Sequence, residues 1–329
     1  MQFAKQRKKQ SGIKSLGDYI KSTNNKGGFD KSKVVKGMTM FDKFERPMLR
    51  GDVSGVLAPS GAGKTTFLLN DASDTLTKHD EGVVVMFALE QDSAEIAEKW
   101  MKLNEDDPET ASRFYVFSNF DEDENMSVAD IKFKLSELKE VLGVDVLKVY
   151  IDHLHLIRHN HSDFNPVCQE IKTLAKSVNT HIFVVSQTQK ANQIVDVPVP
   201  RTGCYNCSQY EWIMTNIISI FQPLYRVKSE SGLEILGYQF CKIRYKNKKD
   251  SIKEGMNYLL SYNHDTERLT ELTNDEKSKF ELWYDKVLEL RQNEEKYKSF
   301  QFDLSTTIKG KDGGEVHLRK VVGGGNNKD

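Results

Sequence analysis

The chain has 329 residues, 38% of them hydrophobic and 29% charged. That length supports a sizeable core, and the composition is that of a globular domain rather than a disordered or fibrous chain. The 47 basic and 48 acidic side chains leave a formal net charge of −1, so bulk charge argues nothing about nucleic acid and only local clusters count.

Residues 1–36 are polar, and the start, "MQFAKQRKKQSGIK", has no apolar segment to serve as a signal peptide. Within this stretch, "IKSLGDYIKST" spaces Ile13, Leu16, Tyr19 and Ile20 along one helical face. So short a helix is marginal alone, so it docks either on its own domain or on a neighbouring subunit. Residues 37–274 form the predicted core. There "VSGVLA", "GVVVMFALE", "RFYVFS", "VLKVYID" and "HIFVVSQ" are continuous apolar runs, the pattern of strands buried on both faces. Helical segments alternate with them: "TTFLLNDASDTL", "SAEIAEKWMKL", "SVADIKFKLSELKEVL" and "NPVCQEIKTLAKSV". The expectation is an α/β fold, a mostly parallel sheet flanked by helices. The later runs "WIMTNIISIFQ", "LGYQFCKIRY", "MNYLLSYNH" and "RLTEL" lack helices between them and read as strands added in hairpin fashion. The first of these is broken by Thr215, Asn216, Ser219 and Gln222, so it is no membrane span. Residues 275–329 begin as a charged helix and end in a Gly-rich tail expected to be disordered from Gly323. Four cysteines do not make a disulfide scaffold, and the expected location is a reducing cytoplasm.

"VSGVLAPSGAGKTTFLLN" places Gly-Lys-Thr between a strand and a helix, as in a phosphate-binding loop, but with Ala58 where the first glycine belongs. The backbone N–H groups of such a loop surround phosphates, Lys64 reaches the β and γ oxygens, and the Thr65 hydroxyl can bind magnesium. Gly61 and Gly63 permit the positive φ angles of an anion nest. The expected ATP-binding set is Ser60, Gly61, Ala62, Gly63, Lys64, Thr65 and Thr66. Asp152, closing "VLKVYID", is the expected partner of Thr65 for Mg²⁺. Glu90, after "VVVMFAL", stands at the carboxyl edge where ligands sit in open α/β sheets; it either orients the attacking water or caps the helix at Ser93. Ser186 and Gln187 reach the same edge and suit γ-phosphate sensing.

In this order the pieces resemble the hexameric replicative helicases of the DnaB type and the helicase half of phage primase-helicases, over roughly Val35 to Thr270. "APSGAGKTTFLLN" is similar to that family's Walker A motif, which also commonly lacks the leading glycine. "FALEQ" resembles its Phe-Ser-Leu-Glu-Met segment and "VYIDHLHLI" its Walker B motif. The resemblance implies a RecA-like ATPase core, with Glu90 as catalytic carboxylate, Asp152 for magnesium and Gln187 as phosphate sensor. "YQFCKIRYKNKKDS" looks like the family's Lys-x-Arg element, implying that Lys242 and Arg244 act on the neighbouring subunit's γ-phosphate; the alternative is a solvated basic strand edge. The implied activity is ATP-driven unwinding by a ring, a hexamer by family, travelling 5′ to 3′ on single-stranded DNA at a replication fork. Primase, polymerase or a loader are the further candidate partners, and a phage or mobile element the expected source. The rival readings are a RecA-like filament that coats DNA and a regulatory ATPase with no DNA role.

DNA contacts are expected from the loops after Asp152 and after Gln187, through Arg158, Lys190 and Arg201. The family's acidic-Leu-Arg-x-Ser-Gly element is blurred here to "VPVPRTGCYNCSQ", and only a tail and a short helix precede the core, so no primase activity is expected. Cys204-x-x-Cys207 lacks a second pair at zinc spacing, and His153 and His155 read as packing around a strand end.

Overall fold

The apolar runs become six parallel strands: β1 (Val53–Leu57), β2 (Val83–Ala88), β3 (Phe114–Ser118), β4 (Val146–Asp152), β5 (His181–Ser186) and β6 (Asn216–Phe221). The antiparallel strands β7 (Ile235–Ile243), β8 (Asn257–Asn263) and β9 (Arg268–Glu271) extend the same sheet, in the order β3-β2-β4-β5-β1-β6-β7-β8-β9. This computed structural model describes residues 31–42, 48–105, 107–121, 125–244, 253–304, 307–309 and 315–317. The helix expected around Ile13–Ile20 and the tail from Gly323 lie outside the described residues.

One expectation is corrected. The first late strand, β6, is not added as a hairpin but runs parallel beside β1, pairing Ser54 with Asn216 and Leu57 with Ser219. A parallel neighbour needs a crossover, and the chain makes it through residues 187–215. That segment carries only short helical turns, Lys190–Asn192 and Tyr210–Ile213, so no helical periodicity marks the crossover. Antiparallel addition starts at β7.

Helices cover both faces: α1 (Lys64–Thr77), α2 (Ser93–Asn104), α3 (Val128–Leu142) and α4 (Asn165–Val178). Successive strand residues point to opposite faces, and the core divides accordingly. Val84, Met86, Tyr150, Phe183 and Val185 join Phe67, Leu68 and Trp100 in one cluster. Val85, Phe87, Val149, Ile151 and Val184 join Ile131, Leu135, Ile171 and Leu174 in the other. Two-sided burial is why these runs are continuous rather than alternating.

A buried charge sits in the first cluster's layer. Asp71 of α1 accepts from Lys148 Nζ at 2.8 and 3.0 Å, from Tyr150 Oη at 2.7 Å and from the backbone N–H of Met38 at 2.8 Å. Both charged side chains are fully shielded from water, and burial pulls the Lys148 pKa down against the pull of Asp71. A Cβ at Gly37 would lie 2.1 Å from Asp71 Oδ1, so the approaching chain needs glycine there.

By contacts the chain divides into two units, Met1–Gln222 with Ile235–Glu271, and Pro223–Glu234 with Leu272–Asp329. The second contains α5 (Asn274–Leu304), whose start is closed by a Thr273–Glu276 capping box. Lys286 of α5 pairs with Glu230, Arg226 pairs with Glu294, and Val287 is buried. No described helix is long and apolar enough to cross a membrane.

Removing one half of a buried ion pair strands the other, at about 3–5 kcal/mol. Lys148→Met is therefore expected to lose stability of that order in urea denaturation. Adding Asp71→Asn, which removes the charge and keeps an oxygen for Met38 N–H, is expected to recover part of it. Equal stability of the single and double variants would contradict this account of the pair.

Candidate active site

The loop between β1 and α1 has the backbone its glycines permit. Gly61 has φ +73° and Gly63 φ +93°, both in the left-handed region. A Cβ on Gly63 would also lie 2.6 Å from Leu236 Cδ1. Ala58 is 1% exposed and belongs to the core, so this position needs a small side chain rather than glycine's freedom. Lys64 Nζ donates to Pro59 O at 3.1 Å, which folds the ammonium over the loop, and Gln222 Nε2 donates to Gly61 O at 3.0 Å.

α1 starts at Lys64, so its first turn lies at the carboxyl edge, beside the end of β4. There Thr65 Oγ1 donates to Asp152 Oδ2 at 2.8 Å. Asp152 is 2% exposed, and its other oxygen, Oδ1, is buried without a hydrogen-bond partner. Burial raises the Asp152 pKa, opposed by the Thr65 hydroxyl and the Lys64 charge. A buried, orphaned carboxylate oxygen beside a threonine hydroxyl is the kind of donor set that a hard cation takes. Among the described residues, no three His, Cys, Asp or Glu side chains are grouped to hold a metal by themselves. A cation at Thr65 and Asp152 would thus complete its shell with water and phosphate, the usual habit of Mg²⁺.

Glu90 lies two residues beyond β2, with its side chain 48% exposed. It is not the cap of α2: Asp92 fills that role, accepting from Glu95 N at 2.7 Å. Glu90 Oε2 instead faces His153 Nε2 at 3.5 Å, and the Gln187 side-chain nitrogen lies 3.5 Å from the same ring atom. The structure thus brings Lys64, Thr65, Asp152, Glu90 and Gln187 to one edge of the sheet. Ser186 does not join them. It is fully buried, with Oγ 2.8 Å from Cys204 Sγ.

No family profile matches the chain. The replicative DNA helicase DnaC of Bacillus subtilis (strain 168) is 25% identical over 219 residues, 56% of this chain and 47% of that protein. The replicative DNA helicase DnaB of Geobacillus stearothermophilus is 24% identical over the same shares. Among solved structures, an isolated ATPase domain superposes with TM-score 0.59 at 18% identity, covering 78% of this chain and 96% of that one. A DnaB-like replicative helicase, solved for its interactions with primase, gives TM-score 0.64 at 18% identity, covering 83% and 71%. Over its core, this chain is similar to the DnaB-type replicative helicases. The fold is that of their RecA-like ATPase domains. The chain spans about half the length of the curated relatives it matches.

Lys242 and Arg244 lie far from Lys64. β7 runs back along β6, so Lys242 pairs with Ile217 at the start of β6, while Gln222, just past its end, touches the phosphate loop. Five strand steps from Ile217 to Gln222, at about 3.3 Å each, put roughly 16 Å between the two edges. Lys242 Nζ donates to the carbonyls of Glu211 and of Met214, the latter at 2.8 Å, and Arg244 Nη2 donates to Trp212 O at 2.9 Å. Burial brings the Lys242 pKa down to about 8, helped by nearby Arg244.

The three expected DNA cations stand on separate segments. Arg158 pairs with Asp130 at 3.2 Å, Arg201 pairs with Glu211 at 2.9 Å, and Lys190 is exposed on a short turn. The loop after Gln187 is tied down: Thr188 bridges Cys204, Val199 N donates to Ser219 Oγ at 2.6 Å, and Gln222 N donates to Val195 O at 2.7 Å. Two features escape sequence reading. One is His153, whose place beside Glu90 depends on strand register. The other is a buried thiol cluster, with Cys168 Sγ 3.4 Å from Cys207 Sγ and Cys204 close by; a helix and a distant loop have to meet for it to form.

Lys64→Ala should weaken binding of a fluorescent ATP analogue by ~30-fold or more, the scale of losing a charged partner in a closed site. Asp152→Asn should narrow the gap between binding with Mg²⁺ and with EDTA. Unchanged affinity in the first, or an unchanged gap in the second, would remove these side chains from the site.

Proposed function

We propose that this chain is the motor of an ATP-driven DNA helicase that assembles as a ring, by family a hexamer, and moves along single-stranded DNA to open duplex at a replication fork. The observation that carries it is the Thr65–Asp152 contact with its orphaned Oδ1, under a phosphate loop, in a chain related to replicative helicases.

In the proposed cycle the loop N–H groups from Ser60 to Thr66 hold the ATP phosphates, and Lys64 turns from Pro59 O to their oxygens. Mg²⁺ held by Thr65 and Asp152 would neutralise charge on the β- and γ-phosphates. Glu90 orients the attacking water, and Gln187 reads whether the γ-phosphate is present. Lys242 and Arg244 serve the site of the next subunit, since the sheet holds them at the wrong edge for their own. DNA is gripped by phosphate contacts from the segments carrying Arg158, Lys190 and Arg201, which gives a salt-dependent affinity without sequence preference. Travel from 5′ to 3′ is part of this reading by family. So is a primase partner, in keeping with the solved DnaB-like helicase and its primase interactions.

Strand separation on a forked duplex with free 5′ and 3′ arms, with ATP and Mg²⁺, tests the reading. Separation that needs the 5′ arm and disappears in Lys64→Ala is expected. Hydrolysis indifferent to single-stranded DNA, with no separation, would overturn it.

A further inference from the structure

We propose that His153 is a positioning residue for Glu90: the single proton of its ring, held on Nε2, is the donor that aims the Glu90 carboxylate. This rests on the reading of Glu90 as the carboxylate that orients water.

His153 follows Asp152 directly and is 3% exposed. Its Nδ1 accepts the backbone N–H of His155 at 3.2 Å, within the tight turn Leu154–Leu156. A backbone N–H cannot become an acceptor, so Nδ1 carries no proton, and the ring's one proton lies on Nε2. Two groups face that atom. Glu90 Oε2 is at 3.5 Å, and the Gln187 side-chain nitrogen is also at 3.5 Å. Two N–H groups cannot satisfy each other. The oxygen and nitrogen of a glutamine amide exchange places by a half-turn, and the hydrogen-bond network decides which is which. Gln187 therefore presents its oxygen to His153 or turns away from it. In the first case Glu90 and Gln187 compete for one N–H; in the second the N–H is free for Glu90.

The competition gives the arrangement a direction. At 3.5 Å the contact to Glu90 is longer than a full hydrogen bond, and catalytic contacts of this kind often tighten only once the ligand is bound. Glu90 is half exposed, so little else restricts its rotation. When Gln187 swings toward the γ-phosphate, the ring N–H is left to Glu90 alone. The turn that sets the proton's place is itself anchored: His155 Nε2 is 2.7 Å from Tyr205 O, and Gln187 N lies 3.4 Å from His155 Nδ1. A histidine that merely filled space would predict no dependence on Glu90.

The test compares wild type, His153→Leu and His153→Gln, each with Glu90 and with Glu90→Gln, in ATP hydrolysis and in binding of a fluorescent ATP analogue. His153→Leu should lower kcat about 10- to 100-fold, the scale of a misplaced catalytic group, with nucleotide Kd unchanged. His153→Gln, whose amide N–H can reach the former Nε2 position, should restore most of the rate. With Glu90→Gln already present, His153→Leu should cost nothing further. Equal rate losses with and without Glu90, no rescue by glutamine, or a loss of nucleotide binding parallel to that of rate would each overturn the proposal. A wild type without hydrolysis, or a fully active Glu90→Gln, would instead remove the reading beneath it. Intact binding by His153→Leu also shows that the variant folds.

Discussion

The phosphate loop and the Lys242–Arg244 pair occupy opposite edges of one sheet, and six residues of extended strand hold them apart. β6 fixes this geometry from both ends: Gln222, after its last residue, touches Gly61, while Thr215, before its first, accepts the backbone N–H of Arg244. Strands do not shorten, so no side-chain movement brings Arg244 to the Lys64 of the same chain. Either the pair is a solvated edge, or it completes a site on another copy. The carbonyls of Glu211, Trp212 and Met214 hold Lys242 and Arg244 side by side. The second alternative is the one on which the proposed ring rests.

Order at the carboxyl edge of the sheet depends on two polar networks of different kinds. Deep in the sheet, Asp71 joins α1 to β4 through Lys148 and Tyr150, and to the incoming chain through Met38 N–H. The helix that carries Thr65 and the strand that ends in Asp152 are therefore fixed to one another below the site. At the edge itself the polar groups are incompletely satisfied. Asp152 Oδ1 has no partner, and His153, Glu90 and Gln187 stand at 3.5 Å rather than in closed hydrogen bonds. A rigid base under an unsatisfied edge is what a site that closes on its ligand requires.

Much of this is legible in the sequence, for identifiable reasons. Buried parallel strands are continuous apolar runs, so β1 to β5 stand out, and an Asp or Glu after such a run has to lie at the carboxyl edge. Gly61, Gly63, Lys64 and Thr65 read directly as a loop because their chemistry is local. What fails to read is non-local. β6 resembles one more hairpin strand because its crossover, residues 187–215, has no long helix. Ser186 reads as a sensor beside Gln187, yet alternation along a strand sends neighbours to opposite sides, and it turns inward to Cys204. His153 reads as packing, since nothing in "IDHLHLI" tells that its ring meets Glu90 from another strand. The loop after Gln187 reads only as a candidate DNA-contacting loop, because its hydrogen bonds to Ser219 and Gln222 run to a strand that lies further along the chain.

A site completed by two copies is the central claim, and mixing lesions tests it most directly. Lys64→Ala spoils the phosphate loop of its own chain, and Arg244→Ala spoils what the chain offers its neighbour. Co-assembled, the two variants form some interfaces with both lesions and others with neither. The mixture is then expected to hydrolyse ATP when each variant alone does not. A mixture no more active than the two variants measured separately would contradict the shared site.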